Sequence, residues 1–385
     1  MRTAVIVDAL RTPSGRGKHG GQLAHFHPVD LLATVLASLV ERTGIDPATI
    51  DDVIGGCLSQ VGTQSVNVTR NAVLAAGFPV SVPATTVDRQ CGSSQQAASF
   101  AAQGVIAGAY DVVIACGVEL MSSHPINAAT LGEDHLGPRV HARFPEGLVG
   151  QGISAELIAA KWGLVRAELD AYAERSHRLA GEADFSREIL PLGDIVADET
   201  IRPGTTLASL AALKPAFHDE GVGRRFPQID WRVTAGNSSP LTDGASAVLI
   251  MSEERAGQLG LTPRARFHSF AVVGSDPLEM LMGVVPATRK VLQRASLTLD
   301  DIDTFEVNEA FASVPLAWQK ELGADPARVN PRGGAIALGH ALGSSGTRLL
   351  TTMLGTMEQG GQRLGLQVMC EGGGMANATI IERLG

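Results

Sequence analysis

The feature that most limits how this chain can fold is that it repeats itself. "IDPATIDDVIGGC", from Ile45, is matched by "LTLDDIDTFEVNE", from Leu297. "CGSSQQAASFAAQ", from Cys91, is matched by "LGSSGTRLLTTML", from Leu342, and "DVVIACGVELMS", around Cys116, by "LQVMCEGGGMAN", around Cys370. The matches keep their order at near-equal offsets of roughly 250 residues, which points to two similar halves. Each half alternates short apolar strands with longer helical stretches, the pattern of an α/β sheet with helical crossovers.

Strands are expected at "TAVIVDA", "DVIGGCL", "VVIACG", "DTFEVNE" and "GLQVMCE". A helix is expected after Pro28, with apolar residues recurring at three and four and Gly44 closing it. "GSSQQAASFAAQGVIAG" and "LGSSGTRLLTTMLGTMEQGG" open on Gly and Ser and carry small side chains, so they read as helices able to pack closely. Residues 119–250 break the alternation and read as an inserted cap: loop-like, then strongly helical, then irregular. The expected division is therefore 1–118 as the N-terminal half, completed by about 240–265, then 119–250 as the insertion and 266–385 as the C-terminal half.

Composition narrows the function classes. With 44% hydrophobic and 18% charged residues in 385, the chain can bury a large core, and disorder is not expected. Its formal charge of -9 supplies no general attraction for nucleic acid, so an anionic ligand has to be met locally. Cys57, Cys91, Cys116 and Cys370 are scattered without a CxxC pair and read as reduced thiols. No apolar run reaches the ~18 residues of a membrane-spanning helix. The opening "MRTAVIVDALRTP" lacks the long apolar stretch of a signal peptide, and "IIERLG" is not a peroxisomal signal. A cytoplasmic location is the expectation, with no membrane or nucleic-acid partner.

Cys91 falls at an expected strand-to-helix junction, with Gly92, Ser93 and Ser94 in the first turn. A thiol there feels the positive end of the helix dipole, which favours the thiolate; a buried packing cysteine is the plainer reading. His340 lies in "GGAIALGHALGSSG". The gap from Gly334 to Gly339 resembles a nucleotide P-loop, but His340 and Ala341 replace the required Lys and Ser/Thr, and no GxGxxG is present. What remains is a histidine on a glycine-rich turn, in the half that mirrors Cys91, able to serve as a base. Cys370 ends an apolar strand before Gly372, Gly373 and Gly374, whose backbone N–H groups can approach a ligand as an oxyanion hole requires. Asn308 and Glu309 close another strand, where an amide can hold a water or cap a helix. His25, His27, His124, His135 and His141 lack zinc-site spacing and read as solvated loop residues, so no metal is expected.

Taken in order, "DRQCGSSQQA", "VNEAFA", "GGAIALGHALGSSG" and "CEGGGMANA" resemble the thiolase family, and "AVIVDALRTPSGR", "LKPAF", "VTAGNSSPLTDGASAVL" and "GVVPATRK" extend the match over essentially the whole chain. The resemblance implies a duplicated five-layered α-β-α-β-α fold with an inserted loop domain, in homodimers or homotetramers. It implies CoA-dependent cleavage of a 3-ketoacyl-CoA to acetyl-CoA and a shortened acyl-CoA, with coenzyme A as substrate and product and no tightly bound cofactor. Cys91 matches the nucleophile, His340 the base that activates it, and Cys370 the second thiol, which exchanges a proton with acetyl-CoA. Asn308 matches the residue that fixes an enolate-stabilising water. The N–H groups of Cys91 and Gly372 match the oxyanion hole, Ser239 a pantetheine-contacting serine and Arg202 an adenine-contacting arginine. Gly150 and Gln151 stand where short-chain enzymes carry a His-Met pair, which suggests a roomier acyl pocket for a degradative enzyme acting on fatty or steroid-derived chains. The alternatives are a biosynthetic acetoacetyl-CoA thiolase, a decarboxylating ketosynthase, against which Cys370 speaks, and a non-catalytic lipid-binding relative.

Overall fold

Two sets of strands with the same internal order build the sheet in the computed structural model, which describes residues 2–385. The first set is β1 (Ala4–Arg11), β2 (Gly15–Arg16), β3 (Asp52–Gly56), β4 (Ala84–Val87), β5 (Val112–Leu120) and β6 (Thr242–Ser252). The second is β7 (Ala265–Gly274), β8 (Thr304–Val307), β9 (Leu364–Glu371) and β10 (Met375–Arg383). The order β4-β3-β5-β6-β1 runs on into β7-β10-β9-β8, and β2 pairs with β6. In one set β3 and β5 are parallel and β5 and β6 antiparallel; in the other β8 and β9 are parallel and β9 and β10 antiparallel. A single parallel bridge, Phe305 to Val329, stands beside β8 where the β3–β4 ladder stands beside β3. The two sets meet through Val5–Arg266 and Ile6–Ala265 of β1 and β7.

Register corrects one part of the sequence match. Asp52 pairs with Val113 and Thr304 with Gly365, so the ladders superpose when Cys116 is set against Val368. Cys370 lies two residues further along its strand. A shift of two keeps side chains on the same face, which is why apolar patterning alone did not reveal it.

The helices are α1 (Pro28–Thr43), α2 (Val68–Ala75) and α3 (Ser93–Ala107) in the first half, and α9 (Glu253–Gln258), α10 (Val284–Ala295), α11 (Ser313–Leu322), α12 (Ala335–Leu338) and α13 (Ser345–Gly360) after the insertion. Between β5 and β6 lie α4 (Gly137–Arg143), α5 (Gln151–Lys161), α6 (Arg166–Glu182), α7 (Leu207–Ala211) and α8 (Glu220–Arg225). Helix α1 shows how local sequence sets limits: Pro28 sits in its first turn, the His27 ring accepts from Val29 N–H, and Gly44 stops it in the left-handed region at φ 69°.

Alternating strand residues separate the layers. Val53, Ile114, Leu249 and Met251 pack with Leu32, Leu36 and Leu39 of α1. Ile54, Val113, Val248 and Ile250 face the other way, onto Ala97, Ala98 and Ala101 of α3 and Leu350, Met353 and Leu354 of α13. Beyond these central helices, Phe305, Val307, Leu366 and Val368 pack with Val291 of α10 and Trp318 of α11. The result is the α-β-α-β-α stack, with α3 and α13 in its middle layer.

The observed strands bound the insertion differently from the sequence reading. β5 continues to Leu120 and β6 begins at Thr242, so residues 242–250 belong to the sheet. β6 is buried along its whole length, and a strand covered on both faces lacks the alternation that would mark it. Helices α4 and α8 occupy stretches that read as loops; at 7 and 6 residues they are too short to show a helical period. A buried Arg11 ties the insertion back to β1, with Nε 2.8 Å from Glu188 Oε1 and Nη1 2.7 Å from Asp198 Oδ1.

Candidate active site

The middle layer brings two helix starts together. Gly346, at the beginning of α13, lies so close to Gln95 of α3 that a β-carbon there would run into the Gln95 backbone nitrogen. Thr347 N–H donates to Ser94 Oγ at 3.0 Å, and Gln367 Nε2 donates to Gln95 Oε1 at 3.0 Å. The residues just ahead of each helix, Cys91 and His340, are carried by this contact into the same interior region.

A tight turn presents Cys91. Gln90 takes φ 51°, unusual for a side-chain-bearing residue, and the turn is held by Ser93, whose hydroxyl donates to Gln90 O at 2.6 Å and accepts from Arg89 N–H at 2.9 Å. The Cys91 thiol is buried among Met121, Leu342, Leu349 and Met369. Its own N–H, the Gly372 N–H and the Gln151 side chain all approach the sulfur. These donors favour the thiolate, yet burial and the neighbouring Glu371 outweigh them and push the thiol up to about 12. Burial thus outweighs the helix dipole: dry surroundings cost a charged sulfur more than one helix end returns.

His340 is placed by the strand beside it. Leu241 bridges to it, and its N–H donates to Thr242 Oγ1 at 2.9 Å. Ser345 Oγ lies 2.6 Å from His340 Nδ1 and 2.8 Å from Ala341 O. The serine has one proton, which the carbonyl claims, so Nδ1 carries the ring proton and Nε2 holds the lone pair. Asn308 Nδ2 stands 3.3 Å from that Nε2. Burial, with Arg348 nearby, lowers His340 to about 3, so the ring is neutral and able to accept a proton.

The Asn308 side chain also meets the Cys370 thiol, and its Oδ1 has no partner within the protein. Burial comes first among the causes that raise Cys370 well above the usual thiol range, with Cys91 and Glu371 adding to it. Cys370 is thus an acid held in its protonated form, not a group tuned near neutrality. Two thiols, one imidazole with its lone pair on Nε2, an amide and two convergent backbone N–H groups share one buried site.

Comparison with known proteins gives the family. The family model for the thiolase N-terminal domain matches residues 4–254, and that for the thiolase C-terminal domain matches residues 261–383. The chain belongs to the thiolase family. The steroid 3-ketoacyl-CoA thiolase FadA6 of Mycobacterium tuberculosis is 48% identical, across 100% of this chain and 95% of that protein. The 3-ketoacyl-CoA thiolase of Aliivibrio salmonicida is 45% identical, across the full length of both. A crystal structure of the Bacillus anthracis acetyl-CoA acetyltransferase has a TM-score of 0.88 at 36% identity, covering 100% of this chain and 99% of that one.

Within this thiolase chain, Gly372 N–H meets Cys91, Asn308 meets both Cys370 and His340, and the two thiols are close enough to influence each other's ionisation. Ser239 is tied to the segment after Asn308, its Oγ donating to Ala310 O at 3.1 Å. Arg202 sits on a separate exposed turn near the end of α6, its N–H donating to His177 Nδ1 at 3.2 Å. His124 corrects an expectation: it is buried, with Nδ1 2.9 Å from Ser123 Oγ and Nε2 3.3 Å from Thr63 Oγ1.

The roles of two residues escaped the sequence reading. Ser345, which sets the His340 tautomer, sits five residues past it and was read only as a helix start. Glu309 is a structural clamp, accepting from Tyr172 Oη (3.0 Å), Ser176 Oγ (2.7 Å), Asn330 Nδ2 (2.8 Å) and Ile336 N–H (3.1 Å), and it steadies the turn that leads to His340. No spacing rule points to such a clamp, because its donors come from α6 and from the loop around α12.

Proposed function

We propose that this chain catalyses CoA-dependent cleavage of 3-ketoacyl-CoA to acetyl-CoA and a shortened acyl-CoA through an acyl-Cys91 intermediate. The observation that carries the reading is that Asn308 bridges Cys370 and the unprotonated Nε2 of His340, while Cys91 lies close enough to Cys370 to act on its ionisation and meets the Gly372 N–H. Cys91 and His340 are both neutral at rest, so the thiol gives its proton to His340 as the sulfur attacks the 3-keto carbon. The N–H groups of Cys91 and Gly372 hold the resulting tetrahedral oxyanion. The C2–C3 bond then breaks, its electron pair forming the acetyl-CoA enolate. Cys370 delivers a proton to C2, releasing acetyl-CoA; the incoming CoA thiol returns a proton to Cys370 as it attacks the acyl-Cys91 thioester, and the departing Cys91 sulfur recovers its proton from His340. Asn308, with a water, and His340 stabilise the enolate oxygen. Ser239 and Arg202 are assigned to the pantetheine and adenine ends of CoA.

We read the direction as degradative and the acyl chain as bulky, fatty or steroid-derived. Gln151 reaches Cys91, and Gly150 and Gln151 stand where short-chain enzymes carry a bulkier His-Met pair. The similarity to a steroid 3-ketoacyl-CoA thiolase supports the same reading. Cleavage rates across acetoacetyl-CoA and medium-chain, long-chain and steroid-derived 3-ketoacyl-CoA test it. The highest kcat/KM belongs to a bulky substrate; a maximum at acetoacetyl-CoA supports the biosynthetic alternative, and no turnover with any of them supports a non-catalytic lipid binder.

The division into an N-terminal half, an inserted cap and a C-terminal half is kept, with the cap drawn at 121–241. A homodimer or homotetramer is supported by β4, a sheet edge near which Val66 (86% exposed) and Val80 (81% exposed) lie open. A cytoplasmic location is also proposed; among the described residues no helix is long and apolar enough to cross a membrane.

A further inference from the structure

Between Cys370 and Gly372 stands a carboxyl group that the proposed mechanism does not use. Glu371 is fully buried, and neither of its oxygens has a hydrogen-bond partner. Its Oε1 fills the space that a β-carbon on Gly92 would take, so it lies against the residue that follows Cys91. Asn377 of β10 reaches the same spot, donating from Nδ2 to Gly92 O at 3.2 Å, while its Oδ1 is also unpartnered. Three buried acceptor atoms thus lie around one glycine, and the Asn377 Nδ2 donor beside them is directed at Gly92 O and not at the carboxyl. An ionised carboxylate there would leave all three unsatisfied, whereas a proton on Glu371 supplies the missing donor.

We propose that Glu371 is a positioning residue that keeps a proton beside Cys91, so that the negative charge developing on the sulfur meets a neutral neighbour. The charged and titratable groups facing it are Asp88 and Arg89 of the preceding turn, Cys91 at the start of α3 and Cys370 on its own strand. Burial raises Glu371 to about 8; Arg89 opposes the rise and Asp88 adds to it. Below that pH the carboxyl is neutral. Above it, a buried negative charge opposes ionisation of Cys91, and the nucleophile loses reactivity where an isolated thiol would gain it.

This inference rests on Cys91 being the nucleophile, and the experiment separates the two claims. Iodoacetamide labelling of Cys91 is followed by mass spectrometry from pH 6 to 10, with and without acyl-CoA, in wild type, Glu371→Gln and Glu371→Leu. The log rate of wild type breaks to a shallower slope near pH 8. Both variants rise without the break, and by pH 9 they exceed wild type roughly tenfold, the effect of removing one like charge at close range. Labelling that favours Cys57 or Cys116 and ignores acyl-CoA defeats the nucleophile assignment itself. Selective, protectable labelling of Cys91 with coincident profiles in all three proteins overturns the role of Glu371 alone. If both variants fail to fold, the wild-type profile decides: a single unbroken rise through pH 8 rejects the proposal, and the break supports it.

Discussion

Ser345 Oγ lies 2.6 Å from His340 Nδ1 while giving its own proton to Ala341 O, and this pair decides which ring nitrogen can act as a base. Without the serine, Nδ1–H loses its acceptor, and the longer Asn308 Nδ2 contact, 3.3 Å from Nε2, is left to favour that tautomer. Ser345→Ala therefore lowers kcat/KM for thiolysis by roughly 5- to 150-fold, the equivalent of about 1–3 kcal/mol for an unpaired buried group. Ser345→Thr keeps the hydroxyl and recovers part of the loss. Equal activity of the alanine variant and wild type would show that the tautomer is set elsewhere.

The approach of α13 to α3 at Gly346 gives a second expectation, on the link between packing and site geometry. Adding a methyl group at Gly346 meets the Gln95 backbone, not a flexible side chain that can move aside. Gly346→Ala destabilises the protein by about 1–3 kcal/mol, as overpacked interiors do. It also costs activity, because the same contact carries Cys91 and His340. Urea unfolding checks the first and steady-state cleavage the second; a variant that loses neither shows that the two helices can separate without penalty.

How much of this was legible in sequence depends on how local the cause is. The helix after Pro28 and its stop at Gly44 were readable, because a proline, a capping side chain and a glycine act within one turn. Cys91, His340 and Cys370 were readable as candidates because each sits where a strand or turn runs into glycines and small residues. Their ionisation was not, since it depends on burial contributed by both halves and on Glu371, which in one dimension is only a charge after a cysteine. β6 was hidden because both its faces are covered, and the Glu309 clamp because its partners come from elsewhere in the fold.

Cys370 and Cys91 are expected to fail in different ways. Cys370→Ala leaves the nucleophile, its oxyanion donors and His340 in place, so Cys91 can still accept an acyl group from acyl-CoA. It removes the proton needed at C2, so steady-state cleavage falls by roughly 10²–10⁴-fold, the usual range for loss of a general acid or base. Mass spectrometry of the acylated protein and a turnover assay report the two steps separately. An unchanged turnover rate would remove Cys370 from the mechanism.

Stability against pH supplies the last test, and its sign depends on which groups are compared. His177 is buried and lowered to about 4 by burial, with Arg202 adding to the shift. Between its unfolded value near 6.5 and that folded value, the unfolded chain binds a proton that the folded chain does not, so stability is lost as pH falls through this window. Glu306 and Glu371, raised to about 8 chiefly by burial, act in the opposite sense from about 4.5 to 8, because there the folded state holds the extra protons. The overall slope of stability with pH therefore identifies no single residue, and the informative quantity is a difference between proteins. Lowering pH from 7 to 5 costs wild type about 2 kcal/mol more than His177→Asn, measured by urea unfolding at both pH values. Parallel behaviour of the two proteins would mean that His177 takes up a proton in the folded state near its ordinary pH.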